Sequence, residues 1–403
     1  MHKPPQPALA VLLYMLPAAA ILLAGCSKQL SQPVTDSTAN AISLTVIASS
    51  DPEAIFLQNA AADPRMLNRT WEGIPSIGAT SNGKEIYVAW YSGGAGEGPG
   101  NYITVAFSKD KALSWKKDAL VIYPRDTSRV RMYDPGLWRD KFGTIRITWS
   151  KSQQFWDGIG GVWTMPLSWN GRNVVTGEVS LLAEGVMLNK PTYIPSTETM
   201  LFPISRWPFA PADPARAGAY IYSGSYKKVA GQMEPVQVLS RIVVPDSIRT
   251  FDEHQLVETS ADGRLLCLIR TWKGIYYAQS TDYGAHWSKL MPFTAVGATT
   301  ASRFHIAKLQ SGRLLLIVNN STARTNLTAF LSADGGKTWK HKLVIDRRSN
   351  VSYPDAIQTR DGYIHMVYDR DRFTSKDILY CRFTENDILQ SNEKGIVRSG
   401  VNK

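Results

Sequence analysis

The chain has 403 residues, of which 44% are hydrophobic and 20% are charged, the composition of an ordinary globular protein. Its formal net charge is +11, but it contains neither basic runs nor a basic amphipathic helix, so a nucleic-acid groove is not indicated. A diffuse positive surface suits an acidic substrate or a position near a membrane.

The N-terminus has the pattern of a bacterial export signal. Lys3 precedes an apolar stretch from Ala8 to about Leu23, which ends in small residues before Cys26. This pattern resembles the lipobox of bacterial lipoproteins, in which the cysteine becomes the lipidated first residue. We predict a signal peptide at 1–25, lipidation of Cys26, a flexible tether at 26–41 and attachment to a cell-envelope membrane. An uncleaved transmembrane anchor is the alternative, although the stretch is short for a membrane span.

Residues 42–403 contain a series of short strand signals. Runs such as EIYVAWY, TIRITWS, LLCLIR and LLLIVNN are separated by turns that contain Gly, Asn and Asp. The region has no sustained helical period and no alternation of long helices with strands. This pattern predicts an all-β fold.

A short motif, S-x-D-x-G-x-x-W, repeats in this region. It occupies Ser280–Trp287 and Ser332–Trp339, whose first residues are 52 positions apart, and a weaker copy occupies Ser108–Trp115. The Asp caps backbone N–H groups of a tight turn, the Gly supplies a positive φ, and the Trp packs under the neighbouring sheet. The weaker copy has Ala112 where the others have Gly, which predicts a distorted turn.

The motif is similar to the Asp box of sialidases and related proteins, where it joins the two outer strands of a propeller blade. The resemblance implies a single β-propeller domain over 42–403. The 52-residue period allows six blades, with seven as the alternative, and leaves two blades without a box between Ser108 and Ser280. A two-sheet sandwich would not account for this spacing.

The resemblance to sialidases covers nearly all of this region and extends to individual charged residues. Sialidases use a Tyr nucleophile with a Glu base, a carboxylic acid/base, and arginines that bind the substrate carboxylate. By position relative to the Asp boxes, the resemblance assigns catalytic roles to Glu253 and Glu97 and substrate binding to Arg270 and Arg324. It assigns the nucleophile to Tyr353, which is followed by Pro354-Asp355, a Gly-containing hairpin and Tyr368-Asp369, as in the late tyrosine segment of sialidases. Further substrate-binding candidates at strand positions are Arg303, Arg131, Asp134, His254, His305 and Asp355.

These residue types suit the chemistry. A phenol with a pKa of about 10 is a poor nucleophile unless a carboxylate removes its proton. A guanidinium group can bind a carboxylate through two parallel hydrogen bonds.

One position departs from the family pattern. The first blade of sialidases begins with Arg-Ile-Pro, whereas this chain has Gly73-Ile74-Pro75. Either Arg131 or Arg303 supplies the missing charge, or the pocket accepts a different acidic sugar or a neutral one.

Cysteine usage and metal-ligand spacing restrict the remaining possibilities. Cys267 and Cys381 lie in apolar runs far apart in the sequence, which favours buried free thiols over a disulfide. Spacings such as Cys-x-x-Cys are absent, so we expect neither a metal nor an organic cofactor.

These features together predict a retaining exo-glycosidase, similar to exo-α-sialidases, that removes terminal acidic sugars from glycans. One alternative is a non-catalytic glycan-binding propeller, in which Tyr353, Glu253 and Arg270 would not converge. Another is a uronate polysaccharide lyase, which could use His254 or His305 to remove a proton. The expected partners are a glycan and, through the lipid anchor, a membrane. We expect a monomer without a nucleic-acid partner.

Overall fold

The computed structural model describes residues 44–47, 51–153, 158–207, 216–226 and 234–403. The predicted signal peptide, the lipidation site Cys26 and the tether lie outside the described residues. Within the described ranges, no helix is long and apolar enough to cross a membrane.

The fold is an all-β propeller with six blades, as the sequence predicts, so the seven-bladed alternative is wrong. Each blade is an antiparallel sheet made of strands that are consecutive in the chain. The first blade contains β1 (Thr45–Ile47), β2 (Ala54–Gln58), β3 (Trp71–Ala79), β4 (Ile86–Gly93), β5 (Tyr102–Ser108) and β6 (Lys116–Pro124). The second contains β7 (Arg131–Arg139), β8 (Ile145–Ser152), β9 (Gly161–Trp169), β10 (Val174–Thr176) and β11 (Ser180–Ala183).

The other four blades have four strands each, ordered from the axis outwards as they occur in the chain. The third contains β12 (Thr192–Ile194), β13 (Thr199–Arg206), β14 (Gly218–Ser225) and β15 (Gln237–Ile242). The fourth contains β16 (Arg249–Ser260), β17 (Arg264–Thr271), β18 (Gly274–Ser280) and β19 (Met291–Pro292). The fifth contains β20 (His305–Lys308), β21 (Leu314–Asn319), β22 (Leu327–Ser332) and β23 (His341–Asp346). The sixth contains β24 (Val351–Gln358), β25 (Tyr363–Arg370), β26 (Asp377–Thr384) and β27 (Val397–Gly400).

Asp boxes join the third and fourth strands of three blades. Two lie in the fourth and fifth blades, and the weaker copy joins β5 to β6 in the first, so two box-free blades separate it from the next box. In the sixth blade, a short helix α2 (Glu385–Leu389) takes this place, with Thr384 as its N-cap. A second short helix, α1 (Pro64–Leu67), precedes the first blade's inner strand.

The weaker Asp box keeps the geometry of the others, so the predicted distortion is wrong. Ala112 N donates to Ser108 Oγ at 2.9 Å, and Gly336 N donates to Ser332 Oγ at the same distance. Ala112 has a φ of +66°, close to the +88° of Gly336. The alanine therefore accepts the left-handed conformation, and the hydrogen bonds of the turn compensate for its steric cost.

The ring closes between the first and sixth blades without a shared strand. Asp355 on β24 accepts hydrogen bonds from Ser76 Oγ at 2.6 Å and Ile77 N at 2.9 Å on β3. Asp369 on β25 accepts from Ile74 N at 2.8 Å. Apolar side chains seal the same joint, including Trp90 from the first blade. Closure thus depends on buried carboxylates as well as on apolar packing.

The thiols of Cys267 and Cys381 are free and buried, as predicted. Cys267 belongs to the core on the fourth blade and Cys381 to the core between the fifth and sixth blades. Burial in apolar surroundings raises the pKa of both thiols, which makes them unreactive packing residues.

Candidate active site

The inner strands of four blades each contain a β-bulge at an equivalent position. Register shifts occur in the first, second, fourth and sixth blades, and each leaves one extra residue on the inner strand. The first bulged residue has a positive φ in every case: +58° at Ile74, +49° at Asp134, +41° at Glu253 and +56° at Tyr353. A bulge redirects its side chain. The repeated distortion therefore presents three of the predicted site residues at equivalent places around the axis.

Sequence explains part of this geometry. Proline follows the bulged residue in three of the four strands, at Pro75, Pro135 and Pro354. Because proline has no N–H group, it removes a donor from a position where the sheet ladder is interrupted.

The phenol of Tyr353 joins two of the other predicted site residues. Tyr353 Oη donates to Glu253 Oε1 at 2.8 Å and accepts from Arg270 Nη1 at 2.7 Å. Arg270 Nη1 also donates to the same Glu253 oxygen. All three residues are close to fully buried. The bulges on β24 and β16 and the middle strand β17 thus bring together residues that are 83 and 100 positions apart.

Burial raises the pKa of Tyr353 to about 12, while the adjacent Arg270 charge acts in the opposite direction. The phenol therefore keeps its proton at rest. It can become a nucleophile only if Glu253 accepts that proton as the oxygen attacks, with Arg270 stabilising the developing negative charge.

Two further guanidinium groups lie against the Tyr353 ring. The Cζ atom of Arg324 is 5.1 Å from the ring centroid, and that of Arg372 is 4.2 Å from it. Arg372 is held by Asp369, which accepts from its Nε at 2.9 Å. No described acidic side chain forms an ion pair with Arg324. Three arginines therefore surround the phenol, and one of them has its charge uncompensated by a neighbouring acid.

Arg372 occupies the space that Gly73 leaves free. A β-carbon built on Gly73 would lie 2.8 Å from Arg372 Cδ and 2.9 Å from its Nε. The guanidinium group in this space therefore comes from the sixth blade and belongs to neither Arg131 nor Arg303. Arg372 is not among the site residues predicted from the sequence. The signal was the glycine itself, since a vacated position beside the axis has room for a long side chain from a neighbouring blade.

Glu97 lies between two arginines at the edge of this cluster. Its carboxylate oxygens are 3.4 Å from Arg131 Nη2 and 3.5 Å from Arg372 Nη1, and its side chain is 30% exposed. Asn101 fixes the glycine-rich loop by accepting from Gly98 N at 2.6 Å. The loop thus places a partly exposed carboxylate next to the arginines, where it can reach a substrate.

Asp134 lies at the bulge of the second blade, with its side chain almost fully buried. Burial raises the pKa of Asp134 to about 7, and the charges of Glu253 and Glu97 add to the increase against the opposing charge of Arg131. Near neutral pH, this carboxyl group is therefore able to donate a hydrogen bond as well as to accept one.

Several buried polar atoms around Tyr353 have no protein partner. Glu253 Oε2, Arg270 Nε and Arg372 Nη2 are buried, and none has a hydrogen-bond partner among the described residues. Because leaving such groups unpaired costs about 1–3 kcal/mol each, they mark positions where a ligand can complete the network.

Four predicted substrate-binding residues form contacts between blades and make no hydrogen bond to the Tyr353 phenol. Asp355 is fully buried, 2.6 Å from Lys190 Nζ, 3.1 Å from His305 Nδ1 and 3.5 Å from Arg303 Nη2. Arg303 also donates to the carbonyl groups of Pro75 and Leu188 at 2.8 and 3.2 Å. His254 Nε2 is 2.7 Å from the carbonyl oxygen of Tyr220 in the third blade. Their hydrogen bonds and ion pairs run to neighbouring blades, and of these four residues only His305 has a buried polar atom, Nε2, without a partner among the described residues. Sequence spacing cannot distinguish this role from ligand binding.

The chain matches one protein family in sequence and several sialidases in structure. The model of the BNR repeat-like domain matches residues 84–366. The structure resembles the Hadza microbial sialidase Hz136 with a TM-score of 0.60 at 17% identity, over 82% of this chain and 68% of that one. It resembles the NanB sialidase from Streptococcus pneumoniae with a TM-score of 0.57 at 12% identity, over 81% and 70%.

The intramolecular trans-sialidase from Ruminococcus gnavus gives a TM-score of 0.56 at 13% identity, over 79% of this chain and 95% of that one. A search of curated protein sequences gives no match. These structural likenesses establish the six-bladed propeller, and the sequence match establishes the family. This chain therefore belongs to the BNR repeat-like domain family.

Proposed function

We propose that the protein is a retaining exo-glycosidase, similar to sialidases, that hydrolyses a terminal sugar bearing an anionic group. The observation that carries this proposal is the shared hydrogen bonding of the Tyr353 phenol with Glu253 and Arg270 at 2.8 and 2.7 Å. A carboxylate and a guanidinium group on one phenol oxygen provide a proton acceptor and charge stabilisation for a nucleophile.

In the first step, Tyr353 Oη attacks the anomeric carbon while the bond to the leaving oxygen breaks. Glu253 takes the phenol proton, and Glu97 gives a proton to the leaving oxygen. In the second step, Glu97 removes a proton from water, which attacks the anomeric carbon and releases Tyr353, and Glu253 returns the phenol proton. Two displacements at one carbon retain its configuration, and a tyrosine nucleophile is an accepted exception among glycosidases.

The arginines support an anionic substrate. Arg270, Arg324 and Arg372 lie around one phenol ring, and the last two have guanidinium carbons within 5.1 Å of its centroid. A substrate carboxylate would pair with the unpartnered donors of Arg270 and Arg372 and balance the charge of Arg324. The convergence of Tyr353, Glu253 and Arg270 supports this proposal over the binding-only alternative, which expects no such convergence.

Activity measurements test the proposal. Aryl glycosides of N-acetylneuraminic acid and of hexuronic acids are assayed with the wild-type protein, with Tyr353→Phe and with Tyr363→Phe. Tyr363 is a partly exposed strand tyrosine and serves as the matched control. We expect Tyr353→Phe to reduce kcat by roughly three orders of magnitude or more, since it removes the nucleophile, and Tyr363→Phe to retain activity. Full activity of Tyr353→Phe would overturn the nucleophile assignment.

The proposal includes export and membrane attachment, for which the N-terminal sequence is the support. We expect Cys26→Ser to move the protein from the membrane fraction to the soluble fraction while leaving its specific activity unchanged. Equal membrane retention of both forms would contradict lipid attachment at this cysteine.

A further inference from the structure

A cavity lies at the end of the inner strands away from Tyr353. Its volume is about 800 Å³, and its walls include Gln255–Glu258, His305–Lys308 and Ala356–Gln358. Gln255–Glu258 and Ala356–Gln358 follow the bulges at Glu253 and Tyr353 along β16 and β24, at about 3.3 Å per residue, and His305–Lys308 forms β20. None of the residues around the Tyr353 phenol lines the cavity. We refer to it as the rear cavity.

The size and walls of the rear cavity suit a small polar ligand. Ligand sites usually have volumes of roughly 300–1,000 Å³. His305 Nε2 is buried and has no hydrogen-bond partner within the described part of the chain. Gln255 accepts a hydrogen bond from Ile306 N through Oε1 at 3.0 Å, which leaves its amide group as a donor for a ligand.

The charge of the lining is unbalanced. Five basic side chains line the cavity against two acidic ones; the basic residues are Arg139, Lys141, Lys190, Lys308 and Arg360. Each lysine has an acidic partner, since Lys190 pairs with Asp355, Lys308 with Glu258 and Lys141 with Glu198, at 2.6, 3.2 and 3.6 Å. Neither arginine forms an ion pair with any described acidic residue.

These two arginines come from different blades and meet at one turn. Arg139 Nη1 donates to the carbonyl oxygen of Ala79 at 3.2 Å, and Arg360 N donates to that of Ser81 at 2.8 Å. The turn between β3 and β4 therefore fixes the second and sixth blades on either side of it. Burial lowers the pKa of Arg139, and the positive charge of Arg360 lowers it further, as expected for two cations in proximity.

We propose that the rear cavity is a second ligand site, which binds the oxyanion of a small polar molecule between the guanidinium groups of Arg139 and Arg360. The anion would satisfy two guanidinium groups that have no acidic neighbour, and the body of the ligand would contact the Gln255 amide. A uronic acid and a phosphate ester share this chemistry, and different probes distinguish them.

Titration calorimetry tests the proposal with inorganic phosphate, D-glucuronate and, as the uncharged counterpart, D-glucose. The measurements use an Arg324→Gln/Arg372→Gln background, so that arginines near Tyr353 do not contribute an anion site. We expect one equivalent of phosphate or glucuronate to bind and glucose to give no heat. Tighter binding of glucuronate would assign an acidic saccharide, and tighter binding of phosphate would assign a phosphate ester.

Adding Arg139→Gln and Arg360→Gln to this background is expected to weaken anion binding at least tenfold. The matched control is Arg347→Gln, an exposed arginine that pairs with Glu393, and it should leave the affinity unchanged. Arg360 is exposed, so Arg360→Gln alone gives a well-folded second variant, for which we expect a partial loss. Absence of anion binding in the background protein, or equal binding after both replacements, would overturn the proposal.

Discussion

The side chain of Arg372 lies over the α-carbon of Gly73, so closely that a β-carbon there would be 2.8 Å from Arg372 Cδ. A residue of the first blade and one of the sixth therefore share a single space beside Tyr353. If a positive charge in this space binds the substrate, then an arginine at position 73 should be able to replace the arginine at position 372.

A charge swap tests this relationship. We expect Arg372→Ala to lower kcat/KM for an anionic glycoside by roughly 30- to 150-fold, the equivalent of about 2–3 kcal/mol for a lost hydrogen bond to a charged group. Gly73→Arg added to Arg372→Ala should recover part of this loss. Gly73→Arg alone should be harmful, because two side chains would then occupy one space. A double variant no more active than Arg372→Ala would argue against the exchange.

The ring-closing carboxylate should dominate stability. Asp355 is fully buried among Lys190, Arg303 and His305, and this environment holds the pKa of its carboxyl group well below the usual range. Asp355→Asn leaves buried cations without a counter-charge, so we expect a loss of about 3–5 kcal/mol in the free energy of unfolding. Denaturant unfolding measures it, with Asp262→Asn at an exposed turn as the control. Losses of equal size in both variants would contradict the special role of Asp355.

Asp134 should make stability depend on pH. Its pKa rises to about 7 in the folded protein, from an ordinary value near 3.8, so the folded state binds the extra proton between these values. The contribution of Asp134 to stability is therefore present below about pH 4 and is lost as pH rises towards 7. Asp134→Asn removes this loss, so its stability relative to the wild type should increase by up to about 1.4 kcal/mol per pH unit in that window. Unfolding curves for both proteins at pH 4.5 and pH 7.5 measure the difference, and a constant difference would show that Asp134 is ionised throughout.

The left-handed conformation of Ala112 should reduce stability, and the equivalent Gly336 of an intact Asp box provides the control. Its φ of +66° costs about 1–2 kcal/mol for a residue with a β-carbon, so we expect Ala112→Gly to stabilise the protein by up to about 1 kcal/mol after the entropy of glycine is included. The reverse change at the intact box, Gly336→Ala, should destabilise it, since the new β-carbon would also lie 3.0 Å from Leu266 Cδ2. Thermal unfolding compares the two. Shifts of the same sign would show that backbone strain does not decide the effect.

The architecture and the central residues of the site were predictable from sequence, because the Asp boxes repeat along the chain and serve as reference positions. The Asp boxes repeat at a fixed distance, and counting from them located Glu253, Arg270, Arg324 and Glu97. Tyr353 was located by the similarity of its own segment to the tyrosine segment of sialidases, and the fold brings these five residues together. Asp134 is also adjacent to this group.

The remaining assignments depended on contacts between blades, which leave no local pattern. Arg303, His305 and Asp355 look like ligand-binding residues in sequence, yet their charges neutralise one another across a blade joint. Arg372 was missed because nothing in its local sequence marks it as a site residue. Its position depends on Gly73, a glycine about 300 residues away that it contacts only in the closed ring. Likewise, the positive φ of Ala112 follows from the hydrogen bonds of the box and could not be foreseen from the alanine itself.

The contact between the first and sixth blades determines when the site can form during synthesis of the chain. Tyr353 and Arg372 belong to the blade that emerges from the ribosome after the other five, and Arg372 reaches its place only where Gly73 has left room. A nascent or truncated chain lacking that blade would be without the proposed nucleophile, and the Asp355 contacts that complete the ring are made by the same strand that carries Tyr353. The proposed activity would therefore require that all six blades have assembled into a closed ring.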